Sequence, residues 1–383
     1  MSPSSDKSCL KGFFSGCAHT MRGFQFGMLV PACKCFLALE SNTLNTNQLS
    51  DGRKCGTTSH FQIWVVRHAK SDIKSLTCCL NDVFRKDSNM DHSTPEEVKV
   101  AGMTCLVFNK QAPGTPVVLI HGLLCSIYFW WPDHLSVFGD RPIYIIGLPG
   151  HYPATPLSSS TKLSADSLAE AVIQQVDQLL TPESSFILVG HSTGAHAAIA
   201  AAAVCPERVE ALISIGGATT GKEEGGIYAL FQWMANKLGA FGRALIAPSL
   251  RASSLTAGIH KIFIGDVMAE PKKVINRPDF QAYLPYYFPA LQKISGASMG
   301  IYFRDLANMD LSATIPNIQC PALVMCGNCD PYVSIERTKE LANKFPDGHL
   351  ALIDNSGHMP MFENWPEYET AITSFMDRVL SRN

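Results

Sequence analysis

From about residue 90 onward the chain alternates between short, mostly apolar runs and longer stretches whose apolar residues recur at helical spacing. The runs at 117–120, 143–146, 186–189, 211–215, 322–325 and 350–353 are too short for typical helices. Lacking polar alternation, they suit parallel strands buried on both faces. Between them, 164–180 places Leu168, Val172, Val176 and Leu179 on one helical face. The stretch 195–204 is alanine-rich, with no glycine or proline to break a helix. Further helices are predicted over 227–238, 335–345 and 367–380, the last with Pro366 near its first turn. Residues 98–104 read as a hairpin around Gly102. Strands alternating with helices predict a parallel sheet covered on both faces.

Two segments break the pattern. Residues 1–92 lack sustained periodicity and are expected to be a poorly ordered extension ahead of one domain over 93–383. Residues 218–318 hold helical stretches and many aromatics but no clear strands, and read as an inserted helical lid. Most of its aromatics should be lid core. A minority should line a pocket for an apolar substrate, and Trp233, Tyr286 and Tyr287 are the candidates, with Leu124 and Met359 from outside the lid.

Composition narrows this little. The 31 basic and 33 acidic residues balance, which gives no electrostatic case for nucleic acid or anionic membranes. No apolar stretch reaches the length of a membrane span; the nearest, 23–39, is broken by Pro31 and Lys34. The 13 cysteines show no paired zinc spacing, and no secretory signal is evident. A reducing, cytoplasmic setting with free thiols in the later part of the chain is expected. The first 39 residues, rich in serine and poor in acid, also resemble an organelle transit peptide. Arg67-His68, after Ile63-Trp64-Val65-Val66, resembles the opening of a histidine phosphatase, but too little chain follows to build that fold.

The chemistry concentrates in Gly190-His191-Ser192-Thr193-Gly194, placed between the 186–189 strand and the 195–204 helix. A serine on a sharp strand-to-helix turn is a nucleophile elbow, and glycines two residues to either side relieve its crowding. A serine hydroxyl needs a histidine to take its proton and a carboxylate to orient that histidine. In elbow enzymes these follow in the order serine, acid, histidine, each just beyond a strand. Asp330 follows the 322–325 strand and His358 follows the 350–353 strand. Among rivals, His349 should precede its strand and so lie at the wrong end of the sheet. Asp354 suits a supporting position. Glu223 and Glu224 look like solvated charges at the lid entry, and the His191 ring should point away from the line of attack. An oxyanion needs two backbone N–H donors. Thr193 supplies one, and Leu123, in His121-Gly122-Leu123-Leu124 after the 117–120 strand, supplies the other.

From about residue 95 the chain resembles the α/β-hydrolase fold family, in H-G-L-L at 121, L-P-G-H at 148, G-H-S-T-G at 190, G-N-C-D-P at 327 and S-G-H-M-P at 356. It departs from the usual family pattern at Ile146-Gly147 and Tyr152-Pro153, positions of structure and not of chemistry. The resemblance implies an α/β architecture, with an eight-stranded, mostly parallel sheet, helices on both faces and a helical cap. It implies a serine hydrolase acting on a small-molecule, lipophilic ester through an acyl-enzyme on Ser192, with no metal or organic cofactor. C–C bond hydrolysis or acyl transfer on the same triad is the alternative chemistry, and a low-turnover binding or receptor protein is the alternative class. A serine at the elbow argues against haloalkane dehalogenases and epoxide hydrolases, which use aspartate there.

Overall fold

The computed structural model describes residues 95–381. The extension over 1–92, its transit-peptide and phosphatase-like stretches and its seven cysteines lie outside the described residues.

A hairpin opens the domain: β1 (Glu96–Val100) pairs antiparallel with β2 (Met103–Phe108) across Ala101-Gly102. Both turn residues have positive φ, 48° and 73°, the combination that matches a tight turn to the twist of its strands. Six strands follow: β3 (Val117–Ile120), β4 (Ile143–Ile146), β5 (Phe186–His191), β6 (Val209–Ile215), β7 (Ala322–Gly327) and β8 (Gly348–Ile353). The sheet runs β1-β2-β4-β3-β5-β6-β7-β8, and every pairing beyond β2–β4 is parallel.

Alternate strand residues feed two cores, one on each face. Val118, Ile120 and Leu188 enter one; Val117, Leu119, Ile187 and Val189 enter the other. Over the first lie α1 (Ala165–Leu179), closed by a Ser164/Ser167 capping box, and α2 (Thr193–Val204). Every residue of α2 from Thr193 to Ala202 is buried, so its alanines let the helix sit close against the sheet.

Between β6 and β7 the chain is helical: α3 (Gly226–Lys237), α4 (Gly239–Ser253), α5 (Ala257–Gly265), α6 (Pro271–Ile275), α7 (Pro278–Leu291) and α8 (Gly296–Leu306). The domain closes with α9 (Ile335–Lys344), α10 (Pro360–Glu363) and α11 (Trp365–Leu380). From α11, Tyr368, Ile372 and Phe375 pack into the second core. No described helix is long and apolar enough to cross a membrane. The cysteines at 105, 125, 205, 320, 326 and 329 are free thiols.

Candidate active site

The elbow is a feature of the backbone. Ser192 sits between β5 and α2 at φ 54°, ψ −118°, a conformation that costs a non-glycine residue on the order of 1–3 kcal/mol and persists only where its surroundings enforce it. Its N–H donates to the Ile215 carbonyl, 2.8 Å away. The flanking glycines have no room for a side chain. A Cβ on Gly190 would lie 2.6 Å from Ala195 Cα, and one on Gly194 would lie 2.5 Å from the His121 carbonyl oxygen.

Asp330 and His358 meet beyond the carboxyl ends of β7 and β8. His358 Nδ1 donates to Asp330 Oδ2 at 2.7 Å, and the aspartate side chain is wholly buried. The other Asp330 oxygen accepts from the N–H groups of Tyr332 and Val333, at 2.8 and 3.0 Å. Burial pushes this carboxyl upward, but His358 and the two N–H donors outweigh it and hold Asp330 below its ordinary value. Burial pulls His358 down, and here too the partners win: Asp330 first, then Glu223 and Glu363, leave the imidazole raised. Both shifts favour the charged pair. Ser192, Thr193, Leu123 and His358 all line one cavity of about 530 Å³. The Ser192 hydroxyl makes no hydrogen bond among the described residues.

The H-G loop is held against the serine. A Cβ on Gly122 would fall 3.1 Å from Ser192 Cβ, so glycine lets this backbone approach. His121 shapes the loop: its Nδ1–H donates to the Gly122 carbonyl at 2.9 Å and its Nε2 accepts from Leu148 N–H at 3.2 Å. Burial lowers the His121 pKa to about 4, so it stays neutral. The N–H groups of Leu123 and Thr193 have no partner within the described residues.

Of the predicted pocket residues, Leu124, Tyr287 and Met359 line the cavity. Trp233 and Tyr286 do not. Trp233 is 53% exposed on α3. Tyr286 turns away to stack edge-on against Tyr128 and Trp131. Helical spacing marks a face, but not what that face meets.

The rivals are placed as well. His349 lies inside β8, not before it, but at the amino end, opposite Leu323. Asp354 accepts from Asn328 at 2.9 Å and bonds neither His358 nor Ser192. His191 is a support: its Nε2–H donates to the His358 carbonyl at 2.8 Å while its ring stacks on Phe129. Glu224 is solvent-exposed. Glu223 is not; it is half-buried in the cavity wall, and burial raises its pKa to about 7.

Three groups escaped sequence reasoning. Glu363 accepts from the N–H groups of Gly357 (2.9 Å) and Met359 (3.1 Å), clamping the loop that carries His358. It also accepts from Ala269 N–H, 2.7 Å away between α5 and α6. His358 N–H reaches the same turn, donating to the Val267 carbonyl at 2.8 Å. In the cavity wall, His260 Nε2 and Tyr287 Oη share a 2.5 Å hydrogen bond. Among the described residues no cluster of His, Cys, Asp or Glu could hold a metal ion.

A serine elbow, a buried Asp–His pair and a doubly wound sheet together define a hydrolase-type α/β protein. A family model described as "Alpha/beta hydrolase family" matches residues 117–371, and the chain belongs to that family. It is 24% identical to the dihydrolipoyllysine-residue acetyltransferase component of the acetoin cleaving system of Pseudomonas putida, over 74% of this chain and 69% of that one. It is 23% identical to the pimeloyl-[acyl-carrier protein] methyl ester esterase of Nitrosospira multiformis, over 70% and 95%. A thermophilic esterase from Thermogutta terrifontis superposes with a TM-score of 0.56 at 16% identity, over 75% of this chain and 99% of its own.

Proposed function

We propose that the chain is a serine hydrolase that cleaves a lipophilic carboxylic ester through an acyl-enzyme on Ser192, with Asp330 and His358 completing the triad. The observation that carries this reading is the 2.7 Å bond from His358 Nδ1 to the buried Asp330 carboxylate, beside a serine held at positive φ in the same cavity. With Nδ1 committed to Asp330, Nε2 is the nitrogen left for the serine proton.

In the first step Ser192 Oγ bonds to the ester carbonyl carbon while its proton passes to His358 Nε2. The carbonyl oxygen takes the negative charge and accepts hydrogen bonds from Leu123 and Thr193 N–H. The tetrahedral species collapses, the C–O bond to the alcohol breaks, and His358 returns the proton to that alcohol. Water then attacks the acyl-enzyme, gives a proton to His358, and releases the carboxylic acid as Ser192 Oγ is reprotonated. Proton transfer through the histidine contributes roughly 10²–10⁴ in rate, and each oxyanion donor on the order of 10²–10³. The Ser192–His358 hydrogen bond forms as substrate enters, since catalytic bonds commonly tighten only in the complex.

The cavity supports an apolar acyl group. Leu124, Phe129, Leu250, Phe263, Ile264 and Leu291 line it, from the sheet side and from α4, α5 and α7. The inserted helices are a lid in this reading. Lys222, Glu223 and Arg337 form a polar stretch of the wall, and this favours a second reading on the same acyl-enzyme: transfer to an acceptor other than water, as in the acetyltransferase relative's name.

A chromogenic p-nitrophenyl ester series tests the proposal. The wild type is expected to show a burst of nitrophenol and a preference for longer acyl chains, and Ser192→Ala to lose roughly 10⁴–10⁶ in kcat. Equal, negligible turnover by both across the series would leave a binding protein on a hydrolase fold. Product partitioning toward added alcohols separates transfer from hydrolysis.

A further inference from the structure

The surface outside the cavity is uneven. Ten large apolar side chains stand exposed in the described structure, and eight of them fall between Leu230 and Ile262. They lie on or beside three consecutive helices. Trp233 is 53% exposed on α3, Phe241 67% on α4, and Ile262 74% on α5. Leu238, Phe241 and Leu245 recur at the spacing that shares one helical face, as do Leu230 with Trp233 and Ile259 with Ile262. Helix α4 packs against both α3 and α5.

The charge of this segment is equally one-sided. Between Glu224 and Asp266 the chain carries Lys237, Arg243, Arg251 and Lys261 and not one Asp or Glu. The near-neutral balance of the whole chain, 31 basic against 33 acidic residues, conceals this. A protein partner accounts for an apolar patch but gives no reason for so long a stretch of chain without an acid. Exposed aromatic and branched aliphatic side chains set among Lys and Arg, with no anion, are the composition of a surface that rests in the headgroup region of a bilayer. There the apolar groups enter the acyl boundary and the cations meet acidic headgroups. The same helices wall the cavity: Ala247, Arg251 and Ser254 come from α4 and its end, and His260 and Phe263 from α5.

We propose that the exposed faces of α3, α4 and α5 dock on an anionic lipid bilayer, bringing the cavity to the membrane from which its ligand is drawn. Docking involves neither the triad nor turnover, so it stands or falls separately from the ester reading.

The test uses the full chain carrying Ser192→Ala, so that no lipid is consumed, sedimented with phosphatidylcholine vesicles with and without phosphatidylserine. Binding is expected only with phosphatidylserine present, and should weaken as salt is raised. Lys237→Glu with Lys261→Glu should reduce binding about tenfold or more, because each cation near such a surface contributes about fivefold. Phe241→Asp with Ile262→Asp should reduce it by at least about tenfold. In the wild-type background neither pair should alter kcat/KM on a water-soluble short-chain ester, and both should keep the wild-type Tm. Failure to sediment with either vesicle overturns the proposal. So does binding that both double variants leave unchanged. A dimer in solution that Phe241→Asp with Ile262→Asp dissolves, with no vesicle binding by the wild-type surface, assigns the patch to a second copy instead.

Discussion

At the scale of single residues the site is a contest between burial and partners. The base form of His358 must be neutral, and its pKa is raised, so kcat/KM should climb with pH through a midpoint above the ordinary histidine value of about 6.5. Replacing Asp330 with Asn leaves burial and removes the carboxylate opposite Nδ1. The midpoint should then fall and the rate drop by roughly 10³–10⁴; a midpoint that stays put contradicts the assignment of Asp330. Glu223, titrating near 7 beside the same histidine, should add a second inflection. Glu223→Gln should leave one inflection at lower pH, and an unaltered profile would show that this carboxyl is not felt at the site. The proposed triad is legible in the sequence because each member follows its own strand within a short motif. Glu363 is not, because one of its partners, Ala269, is 94 residues away along the chain.

At the scale of elements, steric limits decide what the elbow tolerates. A Cβ on Gly190 or Gly194 meets backbone, not flexible side chains, so Gly194→Ala should destabilise by at least about 1–3 kcal/mol. A urea midpoint indistinguishable from wild type would show that the turn relaxes more freely than its packing suggests. Strands and helices were readable to within a few residues, because burial on both faces leaves unbroken apolar runs. Helix α2 begins at Thr193, earlier than its alanine run, because the turn at Ser192 enters the helix directly. Strand β8 begins at Gly348, before its apolar run, because backbone pairing with β7 does not require apolar side chains. The helices between β6 and β7 were legible as helices only. Which aromatics face the cavity depends on how six helices cross, and so Tyr287 lines it while its neighbour Tyr286 does not.

At the scale of the molecule, the buried imidazoles set a lower limit of pH. Burial holds His121 and His260 near 4 and His191 near 3. The unfolded chain would protonate all three near 6.5. Between about 4 and 6.5 the unfolded state therefore binds more protons, and stability falls as pH falls, by up to about 1.4 kcal/mol per pH unit for each histidine. His358 works the other way: its raised pKa gives a contribution fully present below about 6.5 and lost as pH rises through the folded value. Burial lowers His134, His151 and His196 as well, so among the described residues six histidines oppose one, and the urea midpoint should be clearly lower at pH 5 than at pH 7. An equal or higher midpoint at pH 5 would mean that these rings take up protons without unfolding the chain.

The turn at 267–269 joins two parts often pictured as separable. Its Val267 carbonyl holds His358 N–H, and its Ala269 N–H shares Glu363 with the histidine loop. A chimera that imports the helical insert of another hydrolase, to borrow its substrate range, would discard two of the bonds that seat the His358 loop. An exchange of the insert that keeps this chain's 267–269 turn would preserve both bonds.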